Sequence, residues 1–84
     1  MAHMERVAQT LDMKGMNCPM PLIWARNMID TMEPGEHIEV LATDPATIRD
    51  FKVFAKSAGH ELVTWSETRG LITIVLKKGA YHNE

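Results

Sequence analysis

Two amphipathic helical patterns, each lying between runs typical of β-strands, constrain the fold of this 84-residue chain more than any other feature. Apolar residues recur at intervals of three and four over residues 19–32 and again over residues 45–58, as on one face of a helix. Runs rich in apolar and β-branched residues favour strands. These runs cover residues 7–13, 37–42, 61–66 and 71–77. The chain therefore alternates strand and helix and ends in two consecutive strands.

The order of these elements predicts an α/β fold, a two-layer sandwich with the order β-α-β-α-β-β. Strands joined through a helix tend to lie parallel with a right-handed crossover, whereas the last two strands, separated by residues 69–70, form an antiparallel hairpin. We expect a four-stranded mixed sheet with both helices on one face. Thr43 or Asp44 is expected to cap the second helix ahead of Pro45. Gly59 fits the carboxyl end of that helix.

The length of the chain allows one small domain with a single thin core. Residues 1–3 resemble a cloning scar, residues 4–79 form the expected domain, and residues 80–84 are expected to fray. No run approaches the roughly 20 apolar residues that a membrane-spanning helix needs, so we expect no membrane contact. Because a single cysteine permits no internal disulfide, the chain is expected in a reducing cytoplasm.

Charge and composition weigh against several classes of function. The formal net charge is −2, whereas a protein that binds nucleic acid by itself usually has a basic surplus, so direct nucleic-acid binding is disfavoured. A single thiol rules out an intramolecular dithiol–disulfide cycle. None of the four histidines lies at zinc-ligand spacing from another histidine or from Cys18. We therefore expect neither a metal site nor a cofactor.

The segment from Gly15 to Pro21 points to chemistry, because two prolines follow Cys18 at alternate positions. Proline is tolerated in a first helical turn, and Pro19 disfavours the α conformation at Cys18. Cys18 is thus predicted at the N-cap of the first helix, among unpaired N–H groups. Such a position lowers the pKa of a thiol and stabilises a thiolate or a persulfide anion. Lys14 and Arg26 lie nearby in the sequence and could add positive charge.

Several residues near Cys18 lie off the face predicted for the core. The core stripe of the first helix is predicted to be Leu22, Ala25, Ile29 and Met32. Trp24 lies about 100° from the centre of that stripe. Met16 and Met20 flank the cysteine, and flexible thioethers suit a surface that meets several partners. We expect Met16, Met20, Trp24 and Arg26 to contact partner proteins, although Trp24 could instead only cover the edge of a small core.

Short motifs spread along residues 11–78 match a known pattern. They are Leu11-Asp12, Gly15, Cys18-Pro19-Met20-Pro21, Pro34-Gly35-Glu36, Thr43-Asp44-Pro45-Ala46-Thr47, Arg49-Asp50 and Gly59-His60-Glu61-Leu62. In these residues the chain resembles the TusA-like (SirA-like) family of sulfur carrier proteins. The resemblance implies a β-α-β-α-β-β sandwich in which Cys18 accepts and passes on sulfane sulfur. It implies that Pro19 and Pro21, with Gly15 before them, support this site structurally.

The resemblance also implies partners and a pathway class. Cys18 would take sulfur as a persulfide from a cysteine desulfurase or a rhodanese and pass it to a DsrE-like or other sulfur-relay protein. Family members serve either tRNA 2-thiouridine synthesis or sulfur-oxidation trafficking. We expect a monomeric carrier, a sulfurtransferase-type protein without independent turnover. Lys52 stands where many family members have a proline, which could affect the second helix or the choice of partner.

Other classes remain open from the residues alone. The chain could be a regulatory or adaptor domain in which Cys18 is structural or only redox-sensitive, since a lone cysteine is often a small buried hydrophobe. A nucleic-acid-binding module is a second alternative, against which the net charge counts. Peroxidase-like thiol chemistry would need an acid–base partner and usually a resolving thiol, and the sequence shows neither clearly.

Overall fold

A computed structural model describes residues 7–17 and 19–79 of the chain. The expectations for the scar at residues 1–3, for Cys18 itself and for the tail at residues 80–84 lie outside the described residues. The elements are β1 (Val7–Met13), α1 (Met20–Ile29), β2 (His37–Ala42), α2 (Ala46–Ala58), β3 (Glu61–Thr68) and β4 (Leu71–Lys77). This order confirms the predicted sequence of strands and helices.

The described strands form one mixed sheet in the order β1-β2-β4-β3. β1 and β2 pair in parallel, because the chain between them crosses over through α1. β4 pairs antiparallel with both β2 and β3. The sheet is therefore four-stranded and mixed, as predicted.

The core lies between this sheet and the two helices. Alternate residues of β2 and β4 are buried on one face, and the fully buried ones are Ile38, Val40, Ala42, Ile72, Ile74 and Leu76. Ala25 and Ile29 of α1 and Phe51 of α2 pack into the same cluster with no exposed surface. Because successive side chains of a strand point to opposite faces, both helices cover the same face of the sheet.

Two element boundaries differ from the predicted ones. α1 ends at Ile29, because Thr31 and Met32 donate to carbonyls three residues back and the chain then reaches Pro34. Met32 is still buried, so its place in the apolar pattern was predicted correctly although it lies outside the helix. β3 continues to Thr68, two residues further than expected. Neither described helix is long and apolar enough to cross a membrane.

The tight hairpin between β3 and β4 explains the longer strand. Arg69 and Gly70 both have positive φ angles, 53° and 83°. Positive φ at both central residues defines the two-residue turn whose twist matches that of the flanking strands. Pairing therefore continues up to the turn, where Thr68 lies opposite Leu71. This confirms the predicted hairpin.

The parallel pairing of β1 with β2 positions the functional segment. Met13 and Ala42, the last residues of the two strands, are paired, so both chains leave the sheet at the same edge. α1 and α2 both begin near this edge, which we call the site end. The opposite edge, where β4 finishes at Lys77, is called the far end. In open α/β sheets, the carboxyl ends of parallel strands are where ligands and reactive groups usually lie.

Candidate functional site

A tight turn carries the chain from β1 into the segment that contains Cys18. The Met16 N–H donates to the Met13 carbonyl at 3.1 Å, and Gly15, the third residue of the turn, has a φ of 85°. Residues with a side chain rarely adopt this left-handed conformation, whereas glycine does so without steric cost. Gly15, predicted to support the site, therefore provides the change of direction at the end of β1.

Asp12 and Lys14 stabilise the same turn. The Lys14 N–H donates to Asp12 Oδ1 at 3.1 Å, and the Lys14 ammonium donates to Asp12 Oδ2 at 2.9 Å. The hydrogen bonds from the Lys14 side chain and backbone hold the pKa of the Asp12 carboxyl below its usual range. Because the Lys14 charge is compensated by Asp12, Lys14 does not supply the uncompensated positive charge that its sequence position suggested.

Helix α1 begins at Met20, and its N-cap is Pro19 with φ −95° and ψ 13°. The predicted N-cap was Cys18, so the helix begins one residue later than predicted. The Met20 N–H donates to the Asn17 carbonyl at 3.0 Å, and the Ile23 N–H donates to the Pro19 carbonyl at 2.9 Å. Prolines at the start of a helix have pre-set φ angles. The backbone on both sides of Cys18 is thus joined by hydrogen bonds.

These bonds correct one part of the electrostatic prediction. Pro19 and Pro21 have no N–H, and the N–H of Met20 is already paired with Asn17. Residues 19–21 therefore offer no unpaired N–H group to an anion. What remains is the positive end of the α1 macrodipole, which acts over the first turn. Pro21 itself is fully buried, so it anchors the helix start against the core.

Four large apolar side chains are exposed around the start of α1. They are Met16, Met20, Ile23 and Trp24, with 42%, 42%, 40% and 48% of their surface exposed. We call this group the α1 surface. Met20 and Trp24 are four residues apart and therefore lie on the same side of the helix. Three of the four predicted partner-contacting residues, Met16, Met20 and Trp24, are thus exposed and lie within six residues of Cys18 in the sequence.

Arg26, the fourth predicted contact, is exposed near the border of the α1 surface. It lines a cavity of about 350 Å³ between the two helices together with Arg49 and Phe54, and a second of about 470 Å³ with Phe54 and Lys78. Trp24 is two residues away, roughly 160° around the helix, whereas Ile23 is three residues away and only about 60° around it. Arg26 therefore lies beside the α1 surface on the Ile23 side and also lines the groove between α1 and α2.

The loop after β2 contributes to the site end through two residues. Asp44 Oδ1 accepts the Ala46 N–H at 3.0 Å, and the Asp44 carbonyl accepts the Thr47 N–H at 2.9 Å. The N-cap of α2 is Pro45, which was expected as the first helical residue, so Asp44 binds the first N–H of the helix from the position before the cap. Thr43 Oγ1 accepts the Gly15 N–H at 2.9 Å. This bond joins the two loops of the site end. Sequence reasoning missed it, because nothing local signals a contact between residues 28 positions apart.

Lys52 and Trp65 form a contact away from the site end. The Lys52 ammonium lies 4.7 Å from the centre of the Trp65 ring, a cation–π distance. Lys52 lies in the middle of α2 and Trp65 lies on the edge strand β3, where it is 45% exposed. Lys52 therefore joins α2 to β3.

The described residues offer no evident metal site. Among residues 7–17 and 19–79, no three His, Cys, Asp or Glu residues lie close enough together to hold a metal ion. The cavities beside Arg26 are lined mainly by residues of two helices and carry arginine and lysine side chains. Cys18 is the one cysteine of the chain.

Fold and site together define a small α/β domain that presents a cysteine-containing segment at the carboxyl edge of a mixed sheet. Comparison with known proteins identifies the family. The TusA family, described as "Sulfurtransferase TusA", matches residues 9–78. The chain belongs to this family.

Individual relatives agree with this assignment. The chain is 40% identical over 70 residues to the sulfur carrier protein TusA of Allochromatium vinosum, and the aligned region covers 83% of this chain and 92% of the relative. It is 40% identical to the sulfur carrier protein TusA of Pseudomonas aeruginosa, covering 83% and 89%. A crystal structure of a SirA-like protein from Desulfitobacterium hafniense is 25% identical and superimposes with a TM-score of 0.75, covering 84% and 97%. The chain is a sulfur carrier protein, and such a role implies sulfur-transfer partners.

Proposed function

We propose that Cys18 is the residue that holds the transported sulfur, as a persulfide. The observation that supports this most is the start of α1, which follows the Cys18–Pro19 pair directly and lies beside the exposed α1 surface. Cys18 is also the one cysteine of this chain, and the chain belongs to a family of sulfur carriers. A carrier needs a nucleophilic sulfur next to a surface that partners can contact, and this segment combines the two.

The proposed loading step is a persulfide exchange. The Cys18 thiolate attacks the terminal sulfur of a donor persulfide, R–S–SH, and a new S–S bond forms while the donor S–S bond breaks. The donor leaves as a thiolate with the electron pair of the broken bond, and the proton stays on the transferred sulfur or is lost to water. Cys18 then carries –S–SH, and the same exchange run against an acceptor cysteine returns it to the thiolate. No external oxidant or reductant is needed.

The positive end of the α1 macrodipole favours both anions of this cycle, the thiolate and the persulfide. Among residues 19–21 no N–H is unpaired, so these three residues add no direct hydrogen bond to the helix dipole. Pro19 and Pro21 stiffen the helix start, and Gly15 provides the turn before it.

The α1 surface is the proposed contact for partner proteins. Exposed thioether and indole side chains are typical of protein interfaces, and methionine adapts to differently shaped partners. A cysteine desulfurase or a rhodanese is the proposed donor, and a DsrE-like or other relay protein the proposed acceptor. Arg26 is a further proposed contact, beside Ile23 and at the rim of the groove between α1 and α2.

The wider role follows from the carrier assignment. We infer a monomeric cytoplasmic protein that delivers sulfur for tRNA 2-thiouridine synthesis or for sulfur-oxidation trafficking, with no cofactor and no turnover of its own. A regulatory or adaptor domain with a non-catalytic cysteine is the alternative that the same fold allows.

Intact-protein mass spectrometry after incubation with a persulfide donor tests the proposal. We expect the wild type to gain one sulfur atom, reversed by dithiothreitol, and Cys18→Ser to gain none while keeping its circular dichroism spectrum and melting temperature. Sulfur uptake by folded Cys18→Ser would contradict the assignment of the site. A folded wild type that takes up no sulfur from several donors would favour the adaptor alternative.

A further inference from the structure

The two loops of the site end are tied together by one side chain. The Thr43 hydroxyl accepts the Gly15 N–H at 2.9 Å, across 28 positions of sequence. The last paired residues of the parallel strands are Met13 and Ala42. The Thr43–Gly15 bond therefore joins the two chains just after they have left the sheet.

Each side of this bond is itself held in place. On one side, Gly15 belongs to the turn closed by Met16 and Met13, which is further fixed by Asp12. On the other side, Thr43 lies between the end of β2 and Asp44, whose carboxylate caps α2. The hydroxyl thus connects the segment leading to Cys18 with the rigid start of a helix that does not contain Cys18.

We propose that Thr43 is a positioning residue for sulfur loading, acting through Gly15 on the segment that carries Cys18. This inference rests on the proposed function of Cys18 and extends it to a second loop of the fold. Only two residues, Met16 and Asn17, separate Gly15 from Cys18, so freedom gained at Gly15 is transmitted along a short stretch of backbone. Thr43 touches neither donor nor cargo; it limits the orientations from which the Cys18 sulfur can attack.

The side-chain chemistry makes the proposal specific. A threonine hydroxyl is held in few rotamers by the branched Cβ, so it can present its oxygen in one direction. Valine has the same shape without the acceptor, whereas serine keeps the acceptor with less restriction. Thr43 and the Gly15 turn are exposed, so water can replace the lost bond and the fold should tolerate either change.

The test compares the full-length wild type with Thr43→Val, Thr43→Ser and the control Thr64→Val, an exposed threonine on the edge strand β3. The measurements are hydrogen exchange of the Gly15 amide by NMR, sulfur uptake from glutathione persulfide by intact mass, and the rate of Cys18 alkylation by iodoacetamide as a function of pH. We expect Thr43→Val to speed exchange at Gly15 and to slow sulfur uptake about fivefold, the factor that one net hydrogen bond represents. Thr43→Ser and Thr64→Val should stay within about twofold of the wild type.

The remaining outcomes separate this inference from the proposed function. Wild-type uptake by Thr43→Val, with Gly15 protection lost, would overturn the positioning role, as would a Thr43→Ser variant as slow as Thr43→Val. If the wild type takes up no sulfur, the proposed function fails, but the pH profiles of Cys18 alkylation still test the positioning role of Thr43. A profile displaced in Thr43→Val but not in Thr43→Ser supports that role. Superimposable profiles in all variants refute it. If Thr43→Val does not fold, Thr43→Ala carries the same comparison.

Discussion

The two ends of the sheet are built differently. At the far end, the Lys78 ammonium donates to the Met32 carbonyl at 2.7 Å, and the Gly79 N–H donates to His60 Nδ1 at 2.9 Å. The backbone of Lys78 also exchanges hydrogen bonds with Gly35 and Glu36. At the site end, the links are the short contacts of Thr43, Asp44 and Asp12, and large apolar side chains of the α1 surface are exposed.

This difference shows how a small domain can combine stability with an exposed apolar surface. Hydrogen bonds between the residues after β4 and the loops after both helices hold the far end together. The site end can then leave apolar side chains uncovered, because the fold does not depend on burying them. Substitutions at the far end should therefore lower stability, and substitutions at the site end should mainly lower sulfur transfer.

The largest effect on stability is expected for Gly79→Ala. A Cβ atom at this position would overlap with the backbone carbonyl of Gly59, and backbone cannot give way as a flexible side chain can. We expect a loss of about 2–3 kcal/mol in the free energy of unfolding, measured by urea denaturation. Gly70→Ala is the matched control: its φ is positive but nothing lies near an added Cβ, so about 1 kcal/mol is expected. Equal losses in the two variants would contradict the close packing of the far end.

A smaller loss is expected for Lys78→Met. The change removes the donor to the carbonyls of Asp30 and Met32 at the end of α1 while keeping the apolar stem. Charged hydrogen bonds of this kind contribute more than neutral ones, and we expect a loss of about 1.5 kcal/mol. Lys77→Met, at an exposed neighbouring position, should leave the urea midpoint unchanged. A urea midpoint that moves equally in both variants would show that the hydrogen bonds of the Lys78 ammonium do not stabilise the fold.

Trp24→Ala tests the other end. If the α1 surface is the docking site, sulfur transfer to or from a protein partner should fall about tenfold, as expected for an aromatic interface residue, with little change in melting temperature. Trp65→Ala is a matched control with similar exposure, and its transfer rate should be normal. A destabilised Trp24→Ala with normal transfer would instead mean that Trp24 only covers the edge of the core.

The smallest effect is expected for Asp12→Asn. The folded state lowers the pKa of Asp12 through Lys14, so the ionised carboxylate stabilises the fold. That contribution is complete above the unfolded value of about 4 and disappears as the pH falls through the lower folded value. The wild type should therefore become slightly less stable as the pH falls below about 4, and Asp12→Asn should lack this part of the loss. Urea midpoints at low salt measure the difference. Identical pH dependence in both proteins would contradict the contribution of the pair.

Local patterns were sufficient to predict most of the fold. The apolar spacing of residues 45–58 and the glycine at 59 predict α2 and its left-handed end, which Gly59 shows with a φ of 82°. The pattern misjudged the end of α1, because Met32 is buried from a turn and apolar periodicity alone does not distinguish a turn from a helix. The strand directions were predicted from connection rules, whereas the order β1-β2-β4-β3, with β4 between β2 and β3, was not predicted.

The candidate site was less predictable. The exposure of Met20 and Trp24 follows from their spacing in α1, since helical geometry is local. That Arg26 also lines the groove between the helices depends on how the two helices pack, which the sequence pattern does not encode. The pairing of Lys14 with Asp12 and of Thr43 with Gly15 depends on side-chain rotamers and strand register, which the sequence pattern does not encode.

The two indoles of this chain lie on different elements, Trp24 on α1 and Trp65 on the edge strand β3 beneath the Lys52 ammonium. The molecule thus has two separate optical reporters. With Trp65 replaced by phenylalanine, tryptophan fluorescence would come from Trp24 alone. A partner covering the α1 surface would then shift the emission maximum of Trp24 and reduce its quenching by iodide. Docking could then be followed in real time without any label, before a single sulfur atom has moved.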